Sequence, residues 1–245
     1  MLYQPTIFTP FPTVAAAEST RHGGVSMAPY QSLNLGKNTD DDPAQVLENR
    51  QRFCAALGFR TDQLALSWQI HGDHIVRVEQ AGHFEGFDAL VTNQPGILLA
   101  VSVADCTPIL IFDPKNQAVA AIHAGWRGTA AGIVRKTLHY MAGQFGSSGA
   151  ECRAYVGTCI DECSFAVGEE VAAAFDEDFK RFDPTKNKFF VDLKKANLAQ
   201  LLAFGLPMTH IEVSPYSTVL HNDRYFSHRY AGGVTGRMLA AIGTK

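Results

Sequence analysis

The 245-residue chain has no apolar run of transmembrane length, no tandem repeat, no low-complexity tract and no linker-like stretch. A helical membrane span and a solenoid are thereby excluded, and nothing divides the chain, so a single domain over residues 1–245 is expected. No Lys or Arg precedes Arg21, and Pro5, Pro10 and Pro12 interrupt the apolar residues there, whereas a secretory leader wants a basic start and an unbroken apolar core. The five cysteines, Cys54, Cys106, Cys152, Cys159 and Cys163, are odd in number and scattered, which argues against a disulfide framework and for a reducing, cytoplasmic setting. A formal charge of -3 supplies no field for nucleic acid or an acidic membrane, leaving a small polar or anionic molecule as the expected partner. The nine histidines include no His-x-His pair, which suits a multicopper centre poorly.

What is present reads as mixed helix and sheet. Asp41 or Asp42 can cap a helix with Pro43 in its first turn and Val46, Leu47, Arg50, Phe53, Cys54 and Leu57 on one stripe before Gly58. Leu64, Leu66, Trp68 and Ile70 alternate as a strand that delivers His71, and Ile75 to Val78 follows as a return strand. Ile97 to Val103 reads as a strand buried on both faces. Pro108–Phe112 and Ala118–His123 flank a turn at 113–117. A helix is expected from about Thr129 to Phe145 with Gly146 as its stop, another near Glu169 to Phe182, and a third from its Asp192 cap to Gly205. Strands are expected near Tyr155, at Phe189–Val191 and at Ile211–Val213. Without regular βαβ alternation, the fold class is α+β with mixed sheet.

If the hairpin turn is centred between Pro114 and Lys115, Cys106 and His123 are directly opposed and share a face. A thiolate and an imidazole so placed can share one metal ion. His71, at the end of its own strand and before Gly72, is the natural third donor. Two histidines and a cysteine suit zinc, and three protein donors leave a position open for chemistry. The spacing matches no short zinc-finger pattern. Each residue alone is equally at home in a core, and Cys106 with His123 also describes a thiolate nucleophile and its base. Beyond His123, Gly128-Thr129 opens a helix whose free N–H groups, with Arg127, make a phosphate or carboxylate site, while Thr129 as a plain cap and Arg127 as a solvated charge is the bland alternative. Cys152, Cys159 and Cys163 read as ordinary buried thiols. Two glycine-broken polar loops, Thr20–Ser26 with Ser32–Gly36 and Phe226–Arg229 with Gly232–Arg237, are possible site walls and fit neither a Rossmann nor a P-loop pattern.

Seven segments in order, RHGGVS at 21–26, SLNLG at 32–36, QIHG at 69–72, DALVT at 88–92, ADCTP at 104–108, HAGWRG at 123–128 and TGR at 235–237, resemble the YfiH family. These bacterial proteins are similar to the laccase-domain proteins of animals and are also called multicopper polyphenol oxidases or peptidoglycan editing factors. The resemblance implies a sandwich-like α+β core shared with a toxin deamidase domain, with flanking helices. It implies a Zn2+ site at His71, Cys106 and His123. It also implies purine nucleoside phosphorolysis, adenosine deamination, or a cytoplasmic amidase role on peptidoglycan precursors with the Cys106 thiolate or a zinc-activated water as the attacking group.

On the nucleoside reading, Arg127 with Arg229 or Arg21 would hold phosphate, Asn34 would help bind substrate, and Asp105 and His74 would be the proton donors. Copper oxidation ranks last, and a non-catalytic zinc module would need a fourth protein ligand. Two departures touch the expected pocket walls: Gly157–Gly168 reads GTCIDECSFAVG where the family often has GPCIGPCCYEVG, and Ser217-Thr218 stands where a Cys-Thr is common.

Overall fold

The computed structural model describes residues 2–245. Two six-stranded mixed sheets and one three-stranded sheet are assembled. In the first large sheet the spatial order is Leu2–Tyr3, Val14–Ser19, Met238–Thr244, Leu98–Val103, Leu64–Trp68, Gly82–Glu85. In the second it is Ile211–Val213, Arg153–Val156, Thr107–Asp113, Ala118–Ala124, Ala89–Thr92, Ile75–Arg77.

The sheets pack face to face, and the parity of each strand decides where its side chains go. Leu110 and Phe112 meet Leu99, Val101, Ala240 and Ile242 between the sheets. Ile109 and Ile111 turn the other way, onto Ile133, Val134, Leu138 and Met141 of the helix Ile133–Phe145. On the far side of the first sheet, Leu98, Ala100 and Leu239 meet Phe53, Cys54 and Leu57 from Pro43–Ala56 and the turn after it. The result is helix, sheet, sheet, helix. Strands covered on both faces read as unbroken apolar runs for this reason. The α+β sandwich with flanking helices is the observed fold.

Several expectations are corrected. The helix after His123 begins earlier, at Trp126–Ala130, and breaks at Gly132 (φ 78°) before Ile133–Phe145. The helix near 169–182 shrinks to Glu169–Ala172, because Lys180–Asp183 pairs instead with Lys188–Val191 in the small sheet. The hairpin register is shifted by two: Pro108 faces His123, Thr107 faces Ala124, and Cys106 lies just outside the ladder. Trp68 and Ile70 are half exposed as the chain leaves the first sheet, Leu47 is exposed, and Cys163 is exposed with its thiol donating to Asp161. Asp42 is the helix cap, accepting from the Ala44 N–H at 2.8 Å, and Asp192 caps Leu193–Ala203 through the Lys195 N–H at 2.9 Å. No helix among the described residues is long and apolar enough to cross a membrane.

Candidate metal centre and its cleft

Three chain segments converge at one end of the sandwich. After Trp68, the Gln69 side chain substitutes for strand pairing, donating to the Ser102 carbonyl at 2.9 Å and accepting from the Ser102 N–H at 2.7 Å. The next turn throws out His71 with φ 60°. Asp105, at φ 90°, turns the chain before Cys106. His123 is the penultimate residue of its strand and is 2% exposed. The donor atoms of His71, Cys106 and His123 all lie within 4.8 Å of one another, and no other cluster of three such donors forms among the described residues. A shift of two residues leaves a side chain on its original face, so the register error did not separate Cys106 from His123.

A carboxylate absent from the expected set organises this cluster. Asp88 is fully buried, and its Oδ1 accepts from His123 Nδ1 at 2.7 Å and from the His71 N–H at 3.0 Å. Its Oδ2 accepts from the Gly72 N–H at 2.8 Å. Burial pushes the Asp88 carboxyl up, but the bond and charge of His123 and the backbone donors outweigh it and hold it below its ordinary range. With Nδ1–H directed at Asp88, Nε2 is the atom of His123 left for a ligand. Burial likewise opposes charge on Cys106 and His123, yet each stabilises the other: the thiol falls to about 6 and the imidazole rises to about 9.

The space between the donors is kept open by Gly125. A Cβ there would stand 3.2 Å from Cys106 Sγ and 3.3 Å from His71 Cδ2. Convergent soft and imidazole donors, a buried carboxylate behind one of them and a cradle a single methyl would fill fit a metal ion.

The cluster forms part of the lining of a cleft of about 510 Å³. Of the expected residues, Asp105, Arg127 and Arg229 line this cleft. The Arg127 guanidinium lies 4.4 Å from the Trp126 ring. Arg229 donates to the carbonyls of Ser164 and Ala166 and lies against Phe165. Asp105 accepts from Thr218 Oγ1 at 2.5 Å and from the Arg229 N–H at 2.6 Å, so both its oxygens are engaged.

The structure does not bring His74, Arg21 or Asn34 to the cleft. His74 is exposed, with Nδ1 against the Gly86 carbonyl. Arg21 spends its donors on the carbonyls of Gln31 and Asn222 and stacks on Phe226. Asn34 is fully buried and ties the N–H groups of Gly36 and Arg237 to its Oδ1. His228 and Arg237 line the cleft from the loop that the sequence offers as a possible site wall, and Arg50 and Lys37 line it without a sequence signal. Arg237 lay in a loop already marked as polar; Arg50 was hidden in a helix stripe. Ile160 and Phe165, from the segment that departs from the family pattern, form part of the wall.

Fold and site together define a two-sheet α+β protein with one three-donor cluster in a cationic cleft. Residues 15–245 match the family model described as multi-copper polyphenol oxidoreductase laccase. A purine nucleoside phosphorylase of Bacteroides thetaiotaomicron is 39% identical over 240 residues, 91% of this chain and 89% of that protein. Adenosine deaminase RL5, from an unknown prokaryote, is 33% identical over 94% and 93%. The crystal structure of Bacillus licheniformis YfiH superposes with a TM-score of 0.94 at 30% identity, covering 100% and 96%. The chain belongs to the YfiH, or laccase-domain, family.

Proposed function

We propose that the chain is a zinc-dependent purine nucleoside enzyme, cleaving adenosine, inosine or methylthioadenosine with phosphate and deaminating adenosine. The observation that carries this reading is an open three-donor cluster in a cleft whose charged lining is Lys37, Arg50, Arg127, Arg229 and Arg237 against Asp105 alone. The substrate class comes from relatives named purine nucleoside phosphorylase and adenosine deaminase at 39% and 33% identity. His71, Cys106 and His123 would hold the ion, and zinc so held supplies a Lewis acid with a free coordination position.

The chain's own groups do the rest. Arg127 and Arg229 present forked donors for a phosphate oxyanion. Arg237 lies close enough to Asp105 and Cys106 to feel their charges, and would stabilise negative charge developing beside the cluster. Trp126, with Arg127 over its ring, together with Phe165 and Ile160 makes an apolar wall against which the purine would lie. Asp105, with both oxygens engaged, acts as a positioning residue that holds Thr218 and the Arg229 backbone. Copper is accommodated by the same donor types, so the metal must be measured rather than taken from the family description.

The test is metal content by mass spectrometry on tag-free protein and on Cys106→Ala, followed by adenosine with and without phosphate. We expect about one zinc per chain, lost in the variant, with phosphate-dependent release of adenine. Copper in place of zinc would move the protein to the oxidase reading. No metal in the unmodified protein would make Cys106 and His123 a candidate thiol dyad, with amide substrates next.

A further inference from the structure

The basic lining of the cleft continues beyond the residues beside the donor cluster, to Lys37 and Arg50, which the cleft shares with a smaller cavity. Arg50 projects from the helix Pro43–Ala56 into the wall of the cleft, is only 7% exposed, and donates Nε and Nη2 to the Leu35 carbonyl at 2.8 and 2.6 Å. Among the described residues it forms no ion pair. A second cavity of about 230 Å³ opens beside it, and the one acid in that lining, Asp41, already accepts from Ser26, Asn34 and its neighbour's N–H. A guanidinium this buried, with a carbonyl but no counter-charge, is costly unless an anion visits it.

Two exposed basic side chains close around it. Lys37 lines both cavities, and His83, paired with Leu66 across the sheet, lines the larger one. Burial, then the charges of Lys37 and Arg50, hold the His83 imidazole below its ordinary range, with Glu85 pulling the other way, so the three groups share one field.

We propose that Arg50, Lys37 and His83 form a second oxyanion subsite, where the cleft adjoins the smaller cavity, that takes a phosphate group. Beside a nucleoside, that phosphate is either carried on the ribose or is the free co-substrate, held here in place of Arg127 and Arg229; the chemistry of recognition is the same. The inference rests on the nucleoside reading for its choice of ligand, not for the existence of the subsite.

The experiment is calorimetric titration of inorganic phosphate and of adenosine monophosphate into the unmodified protein, into Lys37→Gln/His83→Gln, and into Lys188→Gln as a charge-matched control on the small sheet. Both cleft substitutions are at exposed positions and leave the Arg50 bonds in place. We expect at least about tenfold weaker binding of a phosphate-bearing ligand in the double variant, and no change in the control. Weakening confined to the monophosphate assigns the group to the substrate; weakening of inorganic phosphate assigns it to the co-substrate. Equal binding by the double variant and the unmodified protein, or no binding of either ligand by the unmodified protein, overturns the subsite. Adenosine turnover is read in parallel. Turnover with no effect of the double variant removes the subsite alone, and phosphate binding that depends on Lys37 and His83 without turnover removes the nucleoside reading alone.

Discussion

At the scale of single residues, the centre depends on two positions, Gly125 and Asp88, that are not among its three donors. Gly125 has φ −70° and ψ 173°, so alanine fits its backbone, and the penalty of Gly125→Ala is the methyl placed 3.2 Å from Cys106 Sγ and 3.3 Å from His71 Cδ2. The expected outcome is a variant with unchanged thermal midpoint and metal affinity lowered at least about tenfold, read by melting and by competition with a chelator. Asp88→Asn tests orientation instead of space. The amide offers one acceptor where the carboxylate serves His123, His71 and Gly72 at once. Metal affinity should fall about 10- to 100-fold, and a loss of about 2 kcal/mol in stability should accompany it because buried donors are left unpaired. The same substitution removes an acid-side dependence. The depressed Asp88 carboxyl contributes stability above the unfolded carboxylate range, lost as pH falls through its lower folded value.

Among the elements, legibility followed burial. Leu98–Val103, Thr107–Asp113 and Ala118–Ala124 were readable because a strand covered on both faces is a mainly apolar run, with polar residues such as Ser102, Thr107, Asp113 and His123 at or near its ends. Val14–Ser19 and Met238–Thr244 pair with each other in the first sheet, yet their alanines carry little strand preference, and only the sheet around them makes them strands. The hairpin slipped by two because the four residues 114–117 close the turn, with Gln117 at φ 51°, and nothing in Pro-Lys-Asn-Gln announces that length. Asp88 went unassigned because a lone acid before an apolar strand looks like a turn residue until its partners, 16 to 35 positions away, are known. The break at Gly132 carries its own test. A methyl at that position would meet only the flexible Arg135 side chain, so Gly132→Ala faces backbone strain and little crowding. Its left-handed φ of 78° should cost about 1 kcal/mol on denaturant unfolding, with metal content unchanged.

For the molecule as a whole, the junction between the two large sheets contains a charge-bearing group that the cleft does not use. Glu18, on Val14–Ser19 of the first sheet, is fully buried; its Oε2 accepts from Tyr155 of the second sheet at 2.7 Å and from the Thr158 N–H at 3.0 Å. Its other oxygen is buried without a partner among the described residues, as is the Tyr225 hydroxyl. Burial raises the Glu18 carboxyl to about 7, against the opposing pull of its hydrogen bonds and of Lys194. A carboxyl raised on folding binds protons more tightly in the folded state, so its contribution is complete below the unfolded pKa of about 4.3 and disappears as pH rises through the folded value. Across that window the protein should lose about 3 kcal/mol of stability from this group. Glu18→Gln keeps an oxygen for Tyr155 and Thr158 and cannot ionise. Unfolding measured in urea from pH 5 to 8 should therefore show a downward slope in the unmodified protein that the glutamine variant flattens, the two curves diverging most at pH 8. Parallel curves would mean that the two sheets hold Glu18 as readily charged as neutral.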